Sequence, residues 1–254
     1  MDINKLAVTL DTAAHTATPT PQLSDSESLS LEDAYKVQQL SVERRMKQRG
    51  EKLTGVKMGF TSKAKMEQMG VHDLIWGRLT DGMFYEAGSQ LKKADFIHPR
   101  AEPEIAFRLA KTIDKELTLT EIKDYVDGVA VALEIIDSRY KDFKFSLEEV
   151  VADNCSSAGY SLGEWKSVDV SVENILMSMV SDDVIVSNGN SSAILGNPWE
   201  ALVAATRLAA TNNQILEAGT IVLAGAATAA KHIKKDETIS AHADGLGSVY
   251  LDIV

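Results

Sequence analysis

The spacing of apolar residues has a helical period at the start of the chain and a mostly strand-like period after residue 50. One face of a helix predicted over residues 1–14 collects Ile3, Leu6, Ala7 and Leu10. A second predicted helix begins after the capping residue Ser30 and ends at Gly50. Residues 15–30 are rich in Thr, Pro and Ser and predict an extended connection. Together these segments predict a small N-terminal helical cap over residues 1–50.

Alternation of apolar and polar residues predicts that strands dominate the larger domain over residues 51–254. Short helices are predicted at residues 63–70, 119–126, 147–152 and 199–210. Turns are predicted at Ser187-Asn-Gly189, Gly196-Asn-Pro198 and Gly245-Leu-Gly247. Strands with helices at the start and between sheets indicate the α+β class with a large sheet core.

Three glutamates stand out within these strand-like segments. Glu102 and Glu104 lie two residues apart, so in a strand both side chains project from the same face. Glu134 is surrounded by apolar residues, where burial of a lone carboxylate is costly. Three converging carboxylates would offer the oxygen ligands that Mg²⁺ or Mn²⁺ prefers. Spacing alone leaves open a second interpretation, in which the first two glutamates face solvent and Glu134 pairs with an arginine.

Lys57 is a further candidate because Val56 and Met58 flank it in a strand-like run. A lysine in this position is either a charge on an exposed edge strand or a group that reaches into a site. The residues alone favour the exposed interpretation, because lysine side chains usually extend their charge to solvent.

Charge limits the classes of partner. The 254 residues include 26 Lys and Arg against 37 Asp and Glu, for a formal net charge of −11. This balance argues against nucleic acid or an anionic membrane as partners, and an anionic substrate would need a local positive site. The single cysteine, Cys155, excludes an intrachain disulfide. Without a signal-peptide pattern or a long apolar run, the sequence predicts a cytoplasmic protein.

A series of motifs resembles one enzyme family. These motifs occur in the order Gly55-Val-Lys-Met-Gly-Phe-Thr-Ser62, Gln68-Met-Gly-Val71, Pro99-Arg-Ala-Glu-Pro-Glu104, Leu133-Glu-Ile-Ile-Asp-Ser-Arg139, Val151-Ala-Asp-Asn-Cys-Ser-Ser157, Leu195-Gly-Asn-Pro198 and Gly245-Leu-Gly-Ser-Val249. Together they resemble the hydratase/decarboxylase branch of the fumarylacetoacetate hydrolase superfamily. The resemblance implies a mixed β-sheet roll or sandwich core, like that of the fumarylacetoacetase C-terminal domain, over residues 51–254.

The resemblance also implies an activity in the meta-cleavage degradation of aromatic compounds. The stretch Ile136-Asp-Ser-Arg-Tyr140, followed by Asp142-Phe-Lys-Phe145, is similar to members that decarboxylate 2-oxo-3-hexenedioate to 2-hydroxypenta-2,4-dienoate and CO₂. The implied cofactor is Mg²⁺ (or Mn²⁺), with no organic cofactor. Two alternatives stay open: a hydratase that adds water to the pentadienoate, or a non-catalytic oxo-acid-binding partner subunit. The implied partners are the small 2-oxo dicarboxylate, further copies of the chain and the pathway hydratase.

Individual residues acquire roles through the same resemblance. Glu102, Glu104 and Glu134 correspond to the metal ligands, and Lys57 to the active-site lysine, which reverses the exposed interpretation. Asp81 is a candidate catalytic residue, although it lies one position before the family's aspartate. Substrate binding is expected of Thr61, Arg139, Ser156 and Ser157. For Arg139, an ion pair with a nearby acidic residue is the alternative. His98 is expected to be structural. Asn197 stands where many members have histidine, so the family gives no clear role for this position.

Overall fold

The computed structural model describes residues 1–23, 28–62 and 74–254. Its α-helices are α1 (Ile3–His15), α2 (Leu31–Arg49), α3 (Leu119–Ile122), α4 (Leu147–Ala152) and α5 (Pro198–Thr211). Its strands are β1 (Leu53–Gly59), β2 (Ile75–Thr80), β3 (Gln90–Leu91), β4 (Arg100–Leu109), β5 (Val126–Ile136), β6 (Ser157–Leu162), β7 (Leu176–Ser181), β8 (Val184–Asn190), β9 (Ile221–Ala226), β10 (Lys231–His232), β11 (Glu237–Ala243) and β12 (Gly247–Ile253). The helix predicted over residues 63–70 and the motif at residues 68–71 lie outside the described residues.

Two sheets form the core. The larger sheet has the order β2-β1-β9-β4-β5-β6, with β10 paired to the start of β4, and the smaller has the order β3-β12-β11-β7-β8. The large sheet is antiparallel apart from the parallel pair β1–β9. Apolar side chains of both sheets and of α5 form one continuous core, which includes Phe107, Val131, Met179, Trp199 and Leu251. The architecture confirms the predicted α+β class with a mixed-sheet core.

The central strands β4 and β5 place the candidate ligands. They pair antiparallel in a register that sets Glu102 directly opposite Glu134. Because side chains alternate along a strand, Ile105 and Phe107 turn into the core between the sheets, and Glu102 and Glu104 turn to the opposite face. The two-residue period of the strand therefore places the core residues on one face and the candidate metal ligands on the other.

The N-terminal helices follow their local signals. The side chain of Asp2 accepts the backbone N–H of Lys5 at 3.0 Å at the start of α1. Ser30 caps α2 by accepting the N–H of Asp33 at 3.1 Å. Gly50 caps the C-terminal end of α2, and its φ of 72° lies in the left-handed region that glycine tolerates.

Helix α2 is attached to the large sheet through a buried side chain. Gln38 Nε2 donates to the carbonyl oxygens of Trp76 at 3.0 Å and Val151 at 2.9 Å. Apolar residues of α1, α2 and α4 pack together with Ile75 of β2 in a second, smaller core. The predicted boundary at residue 50 coincides with the end of α2, and the division into a cap (1–50) and a catalytic domain (51–254) stays a prediction.

The turn predicted at Ser187-Asn-Gly189 is wrong, because these residues lie inside β8. The reversal between β7 and β8 occurs at Asp182 and Asp183, whose φ angles of 47° and 64° are left-handed. Gly189 instead permits a close approach, since a Cβ at this position would lie 2.3 Å from the carbonyl oxygen of Ala227.

Strand β8 forms one edge of the small sheet, with β7 as its neighbour. Three consecutive side chains on it, Val184, Ile185 and Val186, are 62%, 58% and 42% exposed. An edge strand presents unpaired backbone groups, and this one adds apolar side chains to them.

The remaining predicted helices are close to the observed ones. Residues 147–152 match α4, and α5 extends the predicted 199–210 helix by one residue at each end. The helix predicted over 119–126 is shorter, because α3 gives way to a 3₁₀ turn and β5 begins at Val126. Within the described residues, none of the helices has the length and apolar character needed to cross a bilayer.

Candidate metal centre and active-site cavity

The three predicted glutamates converge on one point. One carboxylate oxygen from each of Glu102, Glu104 and Glu134 lies within 4.8 Å of the other two. Glu104 and Glu134 are fully buried, and Glu102 is 6% exposed. The arrangement follows from the register of β4 and β5 together with the two-residue spacing on β4. The solvent-facing interpretation of these residues is therefore wrong.

This cluster is electrostatically unfavourable without a cation. Burial and the neighbouring Glu134 raise the pKa of Glu104 well above its usual value. Burial also raises the pKa of Glu134, although Lys57 acts in the opposite direction. Within the described residues, no hydrogen-bond donor reaches Glu104 Oε1 or Glu134 Oε1. Buried oxygens without donors and with mutual repulsion fit a hard divalent ion such as Mg²⁺.

Lys57 lies beside the carboxylates. Its Nζ atom is 3.0 Å from Glu134 Oε2 and donates to the carbonyl oxygen of Cys155 at 3.4 Å. Burial alone lowers the pKa of Lys57, but the charges of Glu134, Glu104 and Glu102 raise it more, and the net shift is upward. The ammonium is therefore charged and 96% buried, since the residue is only 4% exposed. The predicted position of Lys57 in the site, and not on an exposed edge, is what the structure shows.

A glycine that sequence reasoning missed completes the carboxylate environment. The register between β4 and β9 shifts near Gly225, whose backbone N–H donates to Glu104 Oε2 at 2.7 Å. Its φ of 105° is unfavourable for other residues, and a Cβ here would lie 2.1 Å from Thr61 Oγ1. A glycine inside a strand-like run was the available sign of such a bulge.

A cavity of about 110 Å³ adjoins the cluster. Its polar wall includes Lys57, Glu102, Thr61 and Ser156, and its apolar wall includes Phe60, Ile75, Phe143 and Phe145. Within the described residues, Ser156 Oγ is buried without a hydrogen-bond partner, so this hydroxyl is available to a ligand. Thr61 and Ser156 thus line the cavity that adjoins the glutamates, and their part in substrate binding stays a prediction.

Backbone strain marks the wall that holds Ser156. Asn154, Cys155 and Ser156 have consecutive left-handed φ angles of 51°, 52° and 57°. Such conformations cost free energy in residues other than glycine and concentrate at functional sites. The turn aims the carbonyl of Cys155 at Lys57, while burial raises the pKa of the Cys155 thiol to about 12. A thiol that stays protonated is a poor nucleophile.

Ser157 and Arg139 line a different, larger cavity of about 470 Å³ next to α1 and α2. The hydroxyl of Ser157 donates to Met83 Sδ at 3.9 Å. Arg139 is buried with Asp153: its Nε lies 2.5 Å from Asp153 Oδ1, and its Nη1 donates to the carbonyl oxygens of Asp137 and Ser157 at 2.6 and 3.0 Å. The structure thus places Ser157 and Arg139 on this larger cavity and not on the one beside the glutamates, and Arg139 forms the ion pair given as its alternative. Substrate binding by these two residues stays a prediction.

Asp81 is also outside the carboxylate cavity. It is exposed in the 3₁₀ turn after β2, and its Oδ1 accepts the backbone N–H of Lys52 at 2.8 Å. The structure therefore places Asp81 at a surface turn away from the glutamates, and a catalytic role for it stays a prediction. Asn197, the other departure from the family, caps α5 by accepting the N–H of Trp199 at 3.0 Å.

The fold and the carboxylate site define a class of protein. Residues 82–254 match the family described as fumarylacetoacetate (FAA) hydrolase C-terminal, and the chain belongs to this family. Because the match covers most of the large sheet and all three glutamates, it accounts for both the architecture and the position of the site.

Individual relatives define the similarity further. The chain is 47% identical over 249 residues to 4-oxalocrotonate decarboxylase of a Pseudomonas species, covering 98% of this chain and 97% of that protein. It is 35% identical over 219 residues to 2-keto-4-pentenoate hydratase of Burkholderia vietnamiensis, with coverage of 85% and 83%. Its structure matches that of 4-oxalocrotonate decarboxylase from Pseudomonas putida G7, complexed with magnesium and adipate, with a TM-score of 0.94, 32% identity and coverage of 99% and 97%. The predicted resemblance to the hydratase/decarboxylase branch is confirmed.

Proposed function

We propose that this chain is a Mg²⁺-dependent decarboxylase that converts 2-oxo-3-hexenedioate (4-oxalocrotonate) to 2-hydroxypenta-2,4-dienoate and CO₂ in meta-cleavage degradation of aromatic compounds. The observation that carries the proposal is the buried convergence of Glu102, Glu104 and Glu134 beside Lys57. Support comes from the 47% identity to a 4-oxalocrotonate decarboxylase over nearly the whole chain.

The three glutamates would hold the magnesium ion, with Mn²⁺ as a chemically similar substitute. When bound, this ion supplies Lewis-acid polarisation of the substrate's 2-oxo group. In the reaction the bond to the distal carboxylate breaks, its electron pair shifts through the conjugated double bond to the 2-oxo oxygen, and CO₂ leaves. The substrate's own oxo group serves as the electron sink, so no organic cofactor takes part.

Lys57 is the proposed catalytic residue of the chain itself. Its charged ammonium, fixed 3.0 Å from Glu134 Oε2, has two chemically consistent roles. It stabilises negative charge on the developing enolate oxygen, or it delivers a proton to the product. Thr61 and Ser156 are proposed to orient the proximal carboxylate, and the apolar wall of the cavity keeps bulk water from the reacting atoms.

Purified protein supplied with 2-oxo-3-hexenedioate and Mg²⁺ tests the proposal. We expect CO₂ release, its loss when EDTA is added and its return with excess Mg²⁺. The same preparation is assayed for hydration of 2-hydroxypenta-2,4-dienoate. Hydration without CO₂ release would establish the hydratase alternative, which the 35% identity to a 2-keto-4-pentenoate hydratase keeps relevant. Binding of the 2-oxo acid without either reaction would establish the non-catalytic alternative.

Assembly and location are further parts of the proposal. We propose that the chain forms a homo-oligomer and associates with the hydratase of the same pathway, and the exposed apolar edge of β8 is a surface suited to such contacts. The cytoplasmic location stays a prediction from the sequence.

A further inference from the structure

The face of β4 that carries the metal ligands also carries an arginine. Side chains at residues 100, 102 and 104 share one side of the strand, so Arg100 lies next to Glu102 on the same face. Alternate residues in a strand are about 7 Å apart, which is comparable to the separation of the two carboxyl groups in a six-carbon dicarboxylic acid. This spacing lets a substrate that binds the metal with its 2-oxo acid end extend toward Arg100 with its other end.

Arg100 is held in place by an aromatic ring of the cavity wall. Its Cζ atom lies 3.9 Å from the centroid of the Phe143 ring, a cation–π contact. Phe143 lines the same cavity as Glu102 and Lys57. The loop that presents this ring has left-handed φ angles of 60° at Asp142 and 55° at Phe143, a costly conformation for a bulky side chain. The ring thus contacts the arginine and also lines the cavity.

The guanidinium of Arg100 keeps an unused donor. Within the described residues, its Nε atom is buried and has no hydrogen-bond partner. In Arg108 and Arg139, by contrast, the Nε atom has a carboxylate partner. Arg108 Nε is 2.7 Å from Asp127 Oδ1, and Arg139 Nε is 2.5 Å from Asp153 Oδ1. An unpartnered buried donor on a cation suits an anionic ligand with two acceptor oxygens.

The charge balance of the site requires such a cation. Three carboxylates and the Lys57 ammonium, together with a divalent ion, leave the centre without net charge. A dianionic substrate would then bring two uncompensated negative charges into a chain whose formal charge is −11, and Arg100 would compensate the one on the distal carboxylate. His232 lies opposite Arg100 on β10, but burial and the charges of Arg100 and His98 lower its pKa, so it is neutral at pH 7.

We propose that Arg100, stacked on Phe143, binds the distal carboxylate of the substrate and so selects dicarboxylic over monocarboxylic 2-oxo acids. The inference rests on the proposed function, because only a dicarboxylate substrate has this second charge. The carboxylate loses its charge as it leaves as neutral CO₂, so the ion pair favours binding more than the chemical step. Arg100 is accordingly a binding and specificity residue.

Calorimetric titration with 2-oxoadipate and 2-oxohexanoate, each in saturating Mg²⁺, tests the assignment. Both ligands present the same 2-oxo acid to the metal, and they differ in the distal carboxylate. We expect the wild-type protein to prefer 2-oxoadipate, and Arg100→Met to weaken 2-oxoadipate by about 10- to 100-fold with 2-oxohexanoate unchanged. Arg100→Lys retains the charge without the bidentate geometry, so its affinity for 2-oxoadipate should lie between those of the wild type and Arg100→Met. In turnover, Arg100→Met should raise KM and leave kcat within a few-fold.

Arg108→Met is the matched control, because Arg108 lies on the same strand and stacks over Trp165, with its Cζ 4.9 Å from the ring centroid, at the opposite end of β4. It should bind both ligands as wild type does. Equal weakening of both ligands by Arg100→Met, or no weakening of either, would overturn the role of Arg100. If the wild-type protein releases no CO₂, the proposed function fails, whereas normal CO₂ release with no preference for 2-oxoadipate defeats this inference alone.

Discussion

Glu134 is the residue that joins the two parts of the site. Its carboxylate belongs to the ligand cluster and also lies 3.0 Å from the Lys57 ammonium. Because Glu134 and Lys57 are both buried, the ammonium of Lys57 depends on this carboxylate for compensation of its charge. The residue therefore has a larger influence than a surface glutamate with the same number of contacts.

Replacing Glu134 by glutamine should abolish most metal binding. The amide keeps the shape of the side chain but removes one of three anionic ligands. We therefore expect the Mg²⁺ affinity to fall by at least about 100-fold, which is more than substitutions of residues that only contact the ligands cause. Calorimetry with MgCl₂ measures it. Glu237→Gln is the control. Glu237 lies in the small sheet, is also buried, and its carboxylate is 3.0 Å from the ammonium of Lys231. Equal Mg²⁺ affinity in Glu134→Gln and wild type would remove Glu134 from the ligand set.

The individual site residues differ in how far the sequence could predict them. The spacing of Glu102 and Glu104 predicts their shared face because strand geometry is local. The approach of Glu134 and Lys57 depends on the register of non-neighbouring strands, so it required the family resemblance. The sequence does not indicate that Asp81 and Arg139 lie away from the cavity beside the glutamates, because the direction of a side chain in a turn depends on backbone angles that residue type does not specify.

At the level of elements, the bulge in β9 determines how the cluster closes. The N–H of Gly225 points at Glu104 because the strand carries one extra residue against β4. The same bulge brings its backbone against Thr61 of the segment after β1. One irregular position thus joins two strands and a cavity wall.

Gly225→Ala should lower both the stability of the protein and its affinity for Mg²⁺. The new Cβ would lie 2.1 Å from Thr61 Oγ1 at a φ of 105°, and we expect a loss of about 2–5 kcal/mol in the free energy of unfolding from strain and overpacking combined. Urea denaturation and Mg²⁺ titration measure the two effects. Gly219→Ala separates them, because Gly219 has a φ of 88° but open space around its Cβ position. A Gly225→Ala protein no less stable than Gly219→Ala would contradict the steric argument.

Most elements followed from periodicity because each is dictated by its own residues. Capping by Ser30 and Gly50 set the limits of α2, and α4 begins where Ser146 accepts the N–H of Glu149. The turn predicted at Gly189 failed because this glycine serves a tertiary contact with Ala227. A glycine required by a distant backbone and one required by a turn look the same in a single sequence.

At the scale of the whole molecule, the small sheet ends in an open, apolar edge. Val184, Ile185 and Val186 lie on β8, where the backbone is available for pairing with another chain. A two-fold arrangement in which β8 pairs with the same strand of a second copy would cover both the backbone edge and these side chains.

Ile185→Lys should therefore reduce self-association of the protein. A charge on the edge strand opposes pairing, and we expect smaller species in sedimentation velocity with turnover per chain unchanged within about twofold. The control is Ile215→Lys, since Ile215 is 56% exposed, similar to the 58% of Ile185, but lies outside the strands. If both variants sediment as the wild type does, self-association does not use this edge.

The position of β9 between β1 and β4 has a consequence for how the enzyme is made. Lys57, Glu102, Glu104 and Glu134 are all translated before the residues of β9, yet in the large sheet that later strand lies between β1 and β4 and pairs with both. Gly225 and Glu104, which β9 brings into contact, are 121 residues apart. Closing such long-range pairings is slow compared with forming local structure. On the ribosome, the ammonium and the carboxylates should therefore meet only after the residues of β9 have been synthesised, as a late event in the folding of the large sheet.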